Sequence, residues 1–103
     1  MSDYLLSNFR LIPTESDDIL KNITLSDNDV LTRPEDQRVR LTNLSKAISL
    51  AKSKKVKTFI TIKDNNGQLH KFNLNISGFN TQNAITNKGY QIPLKCIFSV
   101  DFL

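Results

Sequence analysis

Between Val56 and Ile76 the side-chain alternation and the turn chemistry agree on a single strand pairing, and that pairing constrains everything around it. Val56, Thr58, Ile60 and Ile62 alternate with Lys57, Phe59, Thr61 and Lys63, and His70, Phe72, Leu74 and Ile76 alternate with Leu69, Lys71, Asn73 and Asn75. A period of two marks half-buried strands. The link Asp64-Asn65-Asn66-Gly67 fits a type I turn closed by a left-handed glycine, which pairs Asp64 with Gln68. Ile62 then faces His70, Ile60 faces Phe72, Thr58 faces Leu74 and Val56 faces Ile76. A two-residue loop on Asn66-Gly67 would set Ile60 against Asn73, and polar and apolar side chains would mix on each face.

The flanking segments follow from this hairpin. Ser77-Gly78 is a place for the second strand to bend, and a third strand over Gln82–Thr86 turns through Asn87-Lys88-Gly89 into Tyr90-Gln91-Ile92. Pro93 cannot donate to a ladder and belongs at an edge or corner. Cys96, Phe98, Val100 and Phe102 alternate in a last strand, whose open edge would invite pairing with a second copy. Upstream, Asn43 reads as a helix cap before Leu44, Ala47, Ile48 and Ala51, one apolar face of a short amphipathic helix. Strands this short must curl or close to bury one face, so the expected fold is mainly β, a small, strongly bent, five-stranded, partly open barrel preceded by that helix.

Residues 1–41 read as an acidic leader and 42–103 as the domain proper. The leader has two apolar clusters, Tyr4, Leu5, Leu6, Phe9, Leu11 and Ile12, then Ile19, Leu20, Ile23 and Leu25. Thr14 and Asp17 have the spacing of a capping pair, which predicts a short helix over 15–23. The polar stretch 26–38, interrupted by Pro34, reads as a linker. Residues 1–36 hold eight acids and three bases, a net of −5, whereas 37–103 hold eleven bases and two acids, a net of +9. Apolar residues in an acidic leader and a basic remainder predict that the leader docks on the domain and screens its lysines.

Little chemistry can be assembled from these residue types. One cysteine and one histidine in 103 residues exclude an intramolecular disulfide and a thiolate zinc set, and three scattered glycines exclude a phosphate-cradling loop. Asp27-Asn28-Asp29 has the opening of a calcium loop, but Thr32 and Arg38 stand where the loop needs glycine and glutamate. His70 reads as a satisfied rim histidine with no partner acid implied, and Cys96 as an inert core thiol. No cofactor, metal, catalytic residue or small-molecule substrate is expected. No signal peptide is read, because Met1–Arg10 is broken by Asp3, Ser7 and Asn8, and no run reaches the roughly 18 apolar residues of a membrane span, so the expectation is a cytoplasmic protein.

Gly67-Gln68-Leu69 after the first hairpin, Phe79-Asn80 after the bend, and Leu94-Lys95-Cys96 before the last strand give residues 43–102 a pattern that resembles the Sm-like family, the Sm and LSm proteins and the bacterial RNA chaperone Hfq. Asn80 stands where that family carries an acid, and Cys96 where Hfq-type members carry histidine. The resemblance implies an SH3-like barrel and RNA binding by ring-shaped oligomers. Two functions follow as expectations. The first is a non-enzymatic module for protein interaction or homo-oligomeric assembly, with itself or another protein as partner. The alternative is RNA or DNA binding through a lysine surface of Lys52, Lys54, Lys55, Lys57 and Lys95, with Lys71 as an extension.

Overall fold

The computed structural model describes residues 12–53 and 55–103. Lys54 and the leader's first apolar cluster, Tyr4 to Leu11, lie outside the described residues. The protein is mainly β, and its described residues form seven strands in two sheets and one α-helix. The strands are β1 (Thr14–Glu15), β2 (Thr58–Lys63), β3 (Leu69–Asn73), β4 (Ile76–Phe79), β5 (Asn83–Thr86), β6 (Gln91–Pro93) and β7 (Ile97–Phe102), and the helix α1 spans Pro34–Leu50. One sheet has the order β1-β3-β2-β7 and the other β4-β5-β6, so the strands do not form a closed barrel.

The hairpin forms in the expected register, Ile62 opposite His70 and Ile60 opposite Phe72. Asp64 N–H donates to the Gln68 carbonyl at 2.9 Å, and Gly67 sits at φ +83°. Past Asn73 the expectation fails. Leu74 still donates to the Thr58 carbonyl, but the chain then leaves the sheet, so Val56 and Ile76 never pair and Ile76 opens β4 in the second sheet. The turn falls at Leu74-Asn75, and the irregularity expected at Gly78 is a register shift between Ile76 and Gly78 in the β4–β5 pairing.

The last strand also departs from simple alternation. Thr61 pairs with Ser99 but Ile62 pairs with Ile97, which leaves Phe98 as the extra residue of a bulge. Ile97 and Val100 therefore both reach the core, while Cys96 is buried in a 3-10 turn (Leu94–Cys96) ahead of the strand. Ile60, Ile62, Phe72, Leu74 and Ile76 share this core with Leu44 and Ala47 of α1 and with Ala84, Ile92 and Leu94.

The helix is longer than its apolar spacing indicated. Pro34 is its first residue, where a missing N–H costs nothing and φ is already helical, and Glu35 and Asp36 oppose the dipole in the first turn. The stretch read as a linker is thus partly helix, the boundary expected at residue 41 falls inside α1, and Asn43 is mid-helix, donating through Nδ2 to the Val100 carbonyl. The capping pair at Thr14 does not form either: Thr14 and Glu15 pair in parallel with Lys71 and Phe72, and a 3-10 helix covers only Asp17–Asn22.

Candidate functional site

The described part of the leader ahead of α1, residues 12–33, is a strap held across the sheets by apolar and polar contacts. Leu20, Ile23 and Leu25 pack against the core, Leu25 bridges to Asp64, Asn65 N–H donates to the Thr24 carbonyl, and Val30 N–H donates to the Lys95 carbonyl at 2.9 Å. The Cys96 thiol, pushed up in pKa by burial, lies 3.6 Å from the Ser26 carbonyl. Three ion pairs reinforce the strap.

The first is Arg40 with Asp29. Arg40 shares the inner face of α1 with Leu44 and Ala47 and is 7% exposed. Its Nη1 and Nη2 donate to the two Asp29 oxygens at 2.9 and 2.7 Å, Nη1 also reaches the Ile97 carbonyl at 3.1 Å, and its buried Nε has no partner among the described residues. Burial pushes the Asp29 carboxyl up, but hydrogen bonds from Arg40 and the Leu31 amide, with the charge of Arg40, outweigh it and hold the group below the ordinary carboxylate value. The second pair joins Asp17 to Lys88 of the β5–β6 turn.

The third is a three-residue cluster centred on His70. Nδ1 is 2.8 Å from Glu15 Oε1 and Nε2 is 2.8 Å from Asp64 Oδ2, with all three side chains mostly buried. Sequence reasoning placed His70 at the rim but missed its acids, although Asp64 sits in the turn at the same end of the hairpin. Glu15 had no local signal, since its approach depends on the parallel pairing of β1 with β3. Arg40 did have one: it stands four and seven residues before Leu44 and Ala47, on the stripe that faces the core.

Next to the Arg40–Asp29 pair lies an open groove of about 610 Å³ between α1, the segment 81–83 and the β6 end. Gln37, Gln82 and Asn83 line it with amides, and Leu41 and Pro93 with aliphatic surface. Its charged lining groups are Asp29 and Arg40, which bond each other, and Lys95, whose ammonium donates to the Asp27 carbonyl. Leu41 is 40% exposed.

Of the lysines expected to form one surface, Lys95 and Lys71 lie apart from the junction. Lys52, Lys55 and Lys57 are exposed, and Lys57 exchanges backbone hydrogen bonds with Leu103, just past the end of β7. Lys95 precedes the start of that strand, so a strand length separates it from Lys57. Lys71 is no surface group at all: it is 6% exposed, with its ammonium 5.5 Å from the Phe59 ring centroid. Phe79 packs against the core, and the Tyr90 ring lies under the Lys21 ammonium. Among the described residues the strap's ion pairs go to Arg40, Lys88 and His70.

Among the described residues no group of His, Cys, Asp and Glu is arranged to hold a metal ion, and no helix is long and apolar enough to cross a membrane. No protein-family model, curated protein or solved structure matches the chain.

Proposed function

We propose that this protein is a non-enzymatic interaction module, a small β-domain of SH3-like or Sm-like type, that binds an extended, weakly charged segment of another protein in the groove beside Arg40. The observation that carries this reading is the lining of that groove. Amides from Gln82 and Asn83 offer both donors and acceptors, as a peptide backbone requires, Gln37, whose amide nitrogen is held on the Leu31 carbonyl, adds its acceptor oxygen, and Leu41 and Pro93 supply apolar contact. The charges at its rim are already partnered, which disfavours a polyanion there. The order of β2 to β7, with a 3-10 turn before the last strand, supports the SH3-like comparison.

Selection of a random peptide display library on the full chain tests it. Peptides of a shared pattern are expected to bind, and Leu41→Glu or Asn83→Ala is expected to weaken them about tenfold or more, a loss of about 1.4 kcal/mol. The exposed Lys52, Lys55 and Lys57 favour the alternative, nucleic-acid binding. If an RNA or DNA oligonucleotide binds with a steep salt dependence that Lys52→Gln, Lys55→Gln and Lys57→Gln flatten, while the groove variants change nothing, the lysine surface is the site and the groove reading fails.

A further inference from the structure

Both ring nitrogens of His70 lie 2.8 Å from carboxylate oxygens, Nδ1 from Glu15 and Nε2 from Asp64, and two ionised carboxylates can both be satisfied only by the doubly protonated imidazolium, because neutral imidazole carries a single N–H. The two carboxylates are held very differently. Asp64 Oδ1 also accepts from the Asn66 and Gln68 amides at 2.8 and 2.9 Å, so the hairpin turn fixes it. Glu15 belongs to a strand of two residues, paired with β3 only at Lys71 and Phe72. We propose that His70 is a proton-controlled clasp: protonated, it fastens β1 to the edge of β3, and on losing a proton it keeps Asp64 and releases Glu15.

The groups around the ring leave few competitors. Among the described residues Glu15 faces it from β1 and Asp64 from the turn, whereas Lys63 of β2 lies over Phe98 and Lys71 of β3 over Phe59. Asp17, two residues beyond Glu15, is taken by Lys88. Burial by itself would lower the imidazole pKa, but the hydrogen bonds and charges of Asp64 and Glu15 outweigh it, and the net shift is upward from 6.5. A raised pKa means that the clasp is complete below the ordinary imidazole value and is lost as pH climbs through the folded-state value. Release is confined to β1, because the 3-10 helix that follows has its own anchors in Leu20 and in the pair of Asp17 with Lys88. What release uncovers is the outer edge of β3, a row of backbone groups open to pairing.

NMR titration of the full chain from pH 5 to 9 tests the proposal independently of any partner. The His70 ring protons are expected to titrate above 6.5, and the amide signals of Thr14, Glu15, Lys71 and Phe72 to shift with the same midpoint. Glu15→Gln is expected to lower that midpoint and to uncouple the β1 amides from it, while the Asn66 and Gln68 amides stay as they are. A midpoint at or below 6.5, or β1 amides that stay still while the ring titrates, overturns the clasp. Glu15→Gln alters no core residue, so a folded variant is expected, and the wild-type titration decides the matter even without it.

Discussion

Gly67 holds φ at +83°, a conformation that a β-branched residue adopts only under strain, whereas a Cβ built there would meet nothing closer than the end of the Lys63 side chain at 4.0 Å. The cost of a side chain is therefore in the backbone and not in a clash. Gly67→Val is expected to destabilise by about 1–3 kcal/mol, and Gly67→Asn by less because asparagine tolerates the left-handed region. Matching thermal midpoints for Val and Gly would contradict the turn assignment. Arg40 makes a sharper case. Asp29→Ala leaves a buried guanidinium without its bidentate partner, and about 3 kcal/mol is expected, the lower end for breaking a buried pair because Asp29 keeps 30% of its side chain in solvent. The exposed pair of Arg33 with Glu35, at 71% and 59%, serves as the control, and Arg33→Ala is expected to change chemical denaturation by nothing measurable. An equal response of the two variants would refute the distinction.

At the scale of elements, the strap is held at intervals by carboxylates, and this sets its behaviour in acid. Hydrogen bonds from His70 and from the Gln68 and Asn66 amides keep the Asp64 carboxyl below its ordinary value against the opposing effect of burial, and Asp29 is also held low. Groups depressed in the folded state stabilise it above the ordinary carboxylate value of 3.8, and that contribution is lost as pH falls through their lower folded-state values. The thermal midpoint is expected to drop steeply over that range. Asp29→Asn should flatten the drop by removing one of the titrating groups, and an unchanged acid limb would show that the strap does not depend on this carboxylate. The same scale explains why the helix was only half legible. Leu44, Ala47 and Ile48 announce the apolar face, but the first turns of α1 are polar apart from Val39 and Leu41, both exposed, so periodicity has nothing to detect there. Pro34 was readable as either a breaker or a first helical residue, and its position ahead of Glu35 and Asp36 favours the second.

For the whole molecule, the strap and α1 act as cover. Arg40 and Asn43 donate to the carbonyls of Ile97 and Val100, so the edge of β7 expected to pair with a second copy already carries helix side chains. Light scattering at high micromolar concentration is accordingly expected to give the mass of a single chain. A dimer or ring would move the interaction surface from the groove to the β7 edge. Deleting residues 1–32 removes Asp29 together with Leu20, Ile23 and Leu25, and a fall in thermal midpoint larger than that of Asp29→Ala is expected from the added loss of apolar burial. A midpoint equal to that of the full chain would reduce the strap to a tail. The hairpin over 58–73, its turn, and the turn at Gly89 with φ +87° were determined by the sequence alone, because strand period and left-handed glycines act over a few residues. The bulge at Phe98, the parallel docking of β1, the meeting of Glu15 with His70, and the burial of Arg40 against Asp29 were decided by the tertiary structure. Each depends on which distant segment fills the space beside it, and no local pattern of side chains encodes that choice.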